Sequence, residues 1–271
     1  MCIIAYKPKN VDFPPTSILK NCYENNPDGA GFMYSYNGKV YIKKGFISFD
    51  SFMSSLEKAR KITGDNVPYV MHFRIATQGY EKTMTHPFPL SSKMSNLHKI
   101  HTSCNIGVAH NGIINLTSDG SQDYSDTQKF ITDYLSLIIQ SYSWYKNERY
   151  IKLIERLIGA SRLAILDKNG HCELLGKGWE SSEGVWYSNS TYSYKKYNYN
   201  ALWNSEDFWT NYKTKQKQYA DKYEKEWNKT TKQYDFKQTS CPVVMDYDYS
   251  YCALCKHYNK TCPGAYSFRD Y

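Results

Sequence analysis

Short alternating and apolar stretches recur through the first two-thirds of the chain and set an expected framework. Residues 3–6, 31–36, 39–43, 69–73, 106–110, 162–166, 172–175 and 185–188 predict strands, from their alternation and β-branched content. Phe52, Leu56 and Ala59 share one helical face, and residues 127–142 read as a second helix. A third, near 147–158, carries Ile151, Ile154, Leu157 and Ile158 at helical spacing and stops at Gly159. Asn37-Gly38 and Asn169-Gly170 sit between apolar runs and predict hairpin turns. Residues 80–105, polar and interrupted by Pro87 and Pro89, read as a surface excursion. Paired strands separated by helices fit an α+β fold with two sheets.

Beyond about residue 195 the pattern changes, which divides the chain into 1–195 and 196–271. Residues 213–237 carry eight lysines against four acidic residues, interleaved with Tyr219, Tyr223, Trp227 and Tyr234. An amphipathic helix with a packed aromatic stripe and solvated lysines explains this; the alternative is a nucleic-acid surface that pairs phosphate contact with stacking. Cys241, Cys252, Cys255 and Cys262 follow, with His257 nearby, and supply the donors of a tetrahedral structural zinc site.

Composition narrows the setting. No apolar run approaches the roughly 18 residues that span a bilayer, and no secretory leader heads the chain, so a soluble cytoplasmic protein is expected. Eight cysteines among 271 residues do not make a disulfide framework, and Cys22, Cys104 and Cys172 read as buried or incidental thiols. The net charge of +8 permits an acidic partner such as nucleic acid without demanding one. Abundant Tyr, Asn and Lys suggest an AT-rich genome, such as that of a bacteriophage.

The chemistry starts at Met1-Cys2. Removal of one methionine would leave Cys2 with a free α-amine, which titrates about two units below a lysine and serves as general base for its own thiol. Further along stand His72-Phe73-Arg74-Ile75-Ala76-Thr77-Gln78-Gly79, Thr85-His86-Pro87-Phe88, Ala109-His110-Asn111-Gly112 and Ser125-Asp126-Thr127-Gln128. Each has a plain structural reading. Ser125-x-x-Gln128 is a capping box in which Asp126 favours a helix N-terminus. Asn111-Gly112 is a hairpin signal. Arg74 alone is a surface or ion-paired arginine, and His72, His86 and His110 are packing or hydrogen-bonding residues.

Taken in order, Cys2 and the four motifs resemble the glutaminase domain of the class II glutamine amidotransferases, of the N-terminal-nucleophile hydrolase type. The resemblance covers about residues 1–190. It implies a four-layer αββα sandwich, Cys2 as nucleophile, and the Asn111 side chain with the Gly112 N–H as oxyanion hole. Arg74 would clamp the α-carboxylate of L-glutamine, Asp126 would receive its α-ammonium, and Thr77 and Gly79 would help surround it. The segment Asn26-Pro27-Asp28-Gly29-Ala30-Gly31-Phe32 would flank the pocket. Glutamine hydrolysis of this kind needs no cofactor, and its ammonia passes to an acceptor substrate or partner synthase. The chain departs from the pattern at Ile3, where glycine is common after the nucleophile, at Ile75 and at Gln78. Two other readings stand beside it: an N-terminal-nucleophile amidohydrolase acting on another amide, and a noncatalytic binding module with a zinc tail.

Overall fold

The computed structural model describes residues 2–76, 82–115 and 124–194. The boundary expected at 195, the basic aromatic helix at 213–237 and the Cys241, Cys252, Cys255 and Cys262 set lie outside the described residues.

Eleven strands form two antiparallel sheets among the described residues. Strands β1 (Ile3–Lys7), β2 (Ala30–Tyr36), β3 (Lys39–Phe46), β4 (Tyr69–Phe73), β6 (His101–Cys104), β10 (Glu180–Ser182) and β11 (Val185–Tyr187) build the larger sheet, in the order β10-β11-β1-β4-β2-β3-β6. The smaller is β5-β7-β8-β9, from β5 (Phe88–Pro89), β7 (Ile106–Asn111), β8 (Arg162–Asp167) and β9 (Cys172–Leu175). The Asn37-Gly38 turn forms as expected: Asn37 and Gly38 take φ of 47° and 71°, and Tyr36 pairs with Lys39. Both positive φ values match a two-residue hairpin. At Asn169-Gly170 the Asp167 carboxylate accepts from the Asn169 and His171 N–H groups and closes the β8–β9 loop.

Strand alternation sorts the core into three clusters. Ile3 and Ala5 face α1 (Thr16–Asn25) and α2 (Phe49–Thr63), where Leu19, Cys22, Phe52, Leu56 and Ala59 bury against Phe32, Met71 and Phe73. Ile4, one residue out of phase, joins Met33, Ile42 and Val70 in the cluster that also holds Ala109, Ala164 and Leu166 of the smaller sheet. The larger sheet thus buries both faces, each large apolar side chain contributing about 1.5–3 kcal/mol. The smaller sheet turns Val108, Leu163 and Ile165 towards Phe130, Ile131, Leu135, Ile154 and Ile158. Small residues let the facing strands approach: a Cβ at Gly107 would lie 2.4 Å from Met33 Sδ.

Helix α2 begins where Ser48 Oγ accepts from the Ser51 N–H at 3.3 Å and ends at Gly64 with φ of 66°. Helix α6 (Glu148–Ile158) starts on an Asn147 cap and stops at Gly159, as expected. One helix is added to the expectations and three expectations are corrected. Helix α1 was not anticipated, although Ile18, Leu19, Cys22 and Tyr23 carry its apolar face. The helix expected at 127–142 is α4 (Asp126–Phe130), a π-helical stretch Ile131–Leu135 and α5 (Ser136–Ile138), ending four residues early. Asn111-Gly112 is no hairpin, because β7 pairs with β8 from Ile106–Asp167 to Asn111–Arg162, across some fifty intervening residues. The third is the surface excursion expected at 80–105, whose described residues, 82–105, are built into the fold. There, α3 is Met94–Leu97, β5 and β6 add to the two sheets, and Phe88 and Leu97 are fully buried. Phe88–Pro89 is only two residues long and His101–Cys104 is a polar edge strand, so neither shows an apolar alternation that could be read from the chain.

Among the described residues no helix is long and apolar enough to cross a membrane. Cys2, Cys22, Cys104 and Cys172 are free thiols.

Candidate active site

Cys2 precedes β1, and the antiparallel pairing of Ile3 with Phe73 puts it beside the chain leaving β4. There the Ile75 N–H donates to Cys2 Sγ at 3.4 Å, and the thiol faces the Ile75 carbonyl at 3.6 Å. Burial pushes the Cys2 thiol above its ordinary pKa, while the Ile75 N–H and the Arg74 guanidinium pull it down. Burial wins, so near neutral pH the group is a thiol that needs a base to become a nucleophile.

Arg74 is 7% exposed and sits inside an interlock of two loops. Its N–H donates to Gly29 O at 2.8 Å, its carbonyl accepts from the Asp28 N–H at 3.0 Å, and Asp28 Oδ2 accepts from the Ala76 N–H at 2.8 Å. The 26–32 segment is thereby fixed against 74–76. Glycine is required within it, because a Cβ at Gly31 would lie 2.2 Å from the His86 carbonyl.

Asn111 ends β7 and is buried. Its Nδ2 donates to Ser188 Oγ at 2.8 Å, and the same hydroxyl accepts from the Ile4 N–H at 2.8 Å. The amide nitrogen has two hydrogens, so one remains for another acceptor. Gly112 follows with φ of 140°, and a Cβ there would fall 2.2 Å from Ser161 Oγ. Only glycine fits that position. Ser161 Oγ donates in turn to the Ile113 carbonyl at 3.1 Å and holds the loop.

Asp126 is joined to that loop. Its Oδ2 accepts from the Ile114 N–H at 2.7 Å, and its Oδ1 from the Thr127 N–H at 2.7 Å and the Thr127 hydroxyl at 3.2 Å. The capping box is also present: Ser125 Oγ accepts from the Gln128 N–H at 3.2 Å, and Gln128 Oε1 from the Ser125 N–H at 2.9 Å. Cys2, Arg74, Asn111, Gly112 and Asp126 are therefore linked through Ile75, Ser188 and Ile114. Thr77, Gln78 and Gly79 lie outside the described residues.

Beneath these residues His72, His86 and His110 form a buried group. His72 Nε2 and His86 Nδ1 lie 3.0 Å and 2.9 Å from the His110 carbonyl and 3.1 Å from each other. The Thr127 hydroxyl donates to Asp126, so His110 Nδ1–H donates to Thr127 Oγ1, 2.7 Å away. Burial lowers His72 to about 3, His110 to about 4 and His86 well below its ordinary value, so all three are neutral at pH 7. Their packing and hydrogen-bonding role is the one the sequence suggested.

Ser161, Ser188 and Asn189 are the members of this constellation that sequence reasoning missed, whereas Asp28 belongs to the 26–32 segment expected to flank the pocket. The bonds of the first three reach 48–187 residues along the chain, and no local motif marks them. Among the described residues no group of three or more His, Cys, Asp or Glu is placed to hold a metal ion.

No family model matches the chain, and no curated protein matches it. Among solved structures it is similar to glutamine phosphoribosylpyrophosphate (PRPP) amidotransferase from B. subtilis, complexed with ADP and GMP. The TM-score is 0.41 and the identity 16%, over 69% of this chain and 41% of that one.

Proposed function

We propose that the chain hydrolyses the side-chain amide of glutamine in the manner of a class II glutamine amidotransferase, on a four-layer αββα scaffold. The observation that carries this reading is the linkage of Cys2 to two groups of the required kind: through Ile75 to the Arg74 loop, and through Ile4 and Ser188 to the Asn111 amide. Three core clusters, two outside the sheets and one between them, support the scaffold.

With Met1 removed, the α-amine of Cys2 takes the thiol proton and the sulfur attacks the carboxamide carbon. The remaining Asn111 N–H and the Gly112 N–H stabilise the tetrahedral oxyanion, a contribution of about 3–4 kcal/mol per donor in comparable sites. Ammonia leaves with a proton from the amine. Water then attacks the thioester, giving glutamate and the free thiol. Arg74 grips the α-carboxylate and Asp126 the α-ammonium, so an amide without that head group would leave both charges unpaired. The ammonia goes to an acceptor or partner synthase.

One observation favours the second reading, an N-terminal-nucleophile amidohydrolase on a different amide. The Asp126 carboxylate already accepts three hydrogen bonds from its own surroundings. Turnover that survives Asp126→Asn would support it.

The test is the intact mass of the purified chain after exposure to 6-diazo-5-oxo-norleucine, a glutamine-like electrophile. The expected result is loss of Met1 and one adduct on Cys2, absent in Cys2→Ala. A mature chain that keeps Met1, or stays unlabelled, overturns the proposal.

A further inference from the structure

We infer that Ser188 and Asn189 are positioning residues that set the Cys2 sulfur against the Asn111 amide; the inference rests on the glutaminase reading above. These two residues directly follow β11 and touch three points from two sheets. The Ser188 N–H donates to Ile4 O at 3.0 Å and its hydroxyl accepts from the Ile4 N–H, which extends the pairing of β11 with β1. That hydroxyl also takes the Asn111 Nδ2–H across the gap between the sheets. Asn189 Nδ2 donates to the carbonyl of Cys2 itself at 2.8 Å.

Both side chains are held in place. Ser188 is fully buried. Asn189 Oδ1 accepts from the Thr191 N–H at 3.0 Å and the Thr191 hydroxyl at 2.6 Å, which directs its amide nitrogen to Cys2. The β1–β11 ladder would form without the serine hydroxyl, so the hydroxyl's particular effect is to tie the Asn111 amide to the strand that carries Cys2. A short rigid link of this kind fixes the distance between attacking atom and oxyanion donor, where an error of an ångström costs about a hundredfold in rate.

The experiment is a double-mutant cycle in the full chain, read as glutamine turnover. Ser188→Ala is expected to lower kcat about 10–100-fold with KM nearly unchanged. In an Asn111→Ala background the same change should add little, because the residue it acts through is gone. An equal loss in both backgrounds, or none in either, overturns the inference. Asn189→Asp, nearly isosteric, keeps the acceptor for Thr191 and turns the donor facing Cys2 O into an acceptor. Assayed well below its thermal midpoint, which the lost donor is expected to lower, it should slow 6-diazo-5-oxo-norleucine labelling of Cys2 at least about tenfold. Labelling at the native rate sinks the inference even where Ser188→Ala does not fold. Failure of the underlying reading looks different: the unaltered chain then shows neither turnover nor labelling, and both proposals fall together.

Discussion

Gly112 shows how much one missing carbon decides. Its φ of 140° is closed to L side chains, and Ser161 occupies the space where a Cβ would go. Gly112→Ala is expected to destabilise the chain by about 1–3 kcal/mol, since the Ser161 backbone as well as its hydroxyl would have to move. In a domain of this size that is a fall of about 2–4 °C in thermal midpoint per kcal/mol. Cys2 labelling should slow with it, because the displaced loop carries the proposed oxyanion donor. A variant as stable and as reactive as the native chain would remove Gly112 from the site. The residue types at Cys2, Arg74, Asn111 and Gly112 were legible in the sequence; the serines that hold them were not, because a serine bonding 77 residues away looks like any other serine.

At the scale of elements, the 82–105 segment is fastened by a side chain outside it. Lys44, on β3, sends Nζ to the carbonyls of Thr83 at 2.8 Å and Leu97 at 2.6 Å, and over the Phe88 ring at 3.8 Å. Burial pushes its ammonium down to about 6. The two carbonyls and the ring face pull the other way, favouring the charge. Lys44→Met keeps the length and removes the donors, so we expect a loss of about 1–3 kcal/mol. The measurement is the urea midpoint at constant m-value. A more stable variant would mean that desolvation of the amine outweighs its bonds. This anchoring explains why a polar, proline-broken stretch is packed rather than exposed. Composition describes the stretch, whereas its burial depends on a lysine forty residues earlier.

For the whole molecule, the histidine group ties stability to pH. His72 on β4 belongs to the larger sheet, His110 on β7 to the smaller, and His86 bridges their bonds. In the unfolded chain each titrates near 6.5. Folded, they resist protonation down to about 3 for His72 and about 4 for His110, with His86 also far below normal. Above pH 6.5 neither state binds the protons and stability is complete; below it the unfolded state takes them up and the folded state does not. Stability should therefore fall with pH, by up to about 4 kcal/mol per unit when all three histidines contribute. Against a total of about 5–15 kcal/mol, unfolding is expected between about pH 5 and 3. Denaturant titrations from pH 7 to 4 check this, and a flat profile would show the histidines to be protonated or hydrated in the fold.

The sequence alone determined most of the strands, the short Cys172–Leu175 among them, the Asn37-Gly38 hairpin and the stop at Gly159, and it suggested the residue types that the proposed nucleophile and oxyanion donors need. These are local properties, set by backbone preference and side-chain period over a few neighbours. Tertiary structure decided which β-strands are neighbours, that Asn111-Gly112 ends a strand instead of turning a hairpin, and that Ser188 joins Cys2's strand to Asn111. It also decided that Asp126, in the first turn of a helix capped by Ser125, holds the Gly112 loop through the Ile114 N–H. Such facts depend on contacts between residues far apart in the chain, where hydrogen-bond geometry and excluded volume act and local pattern carries no trace of the partner.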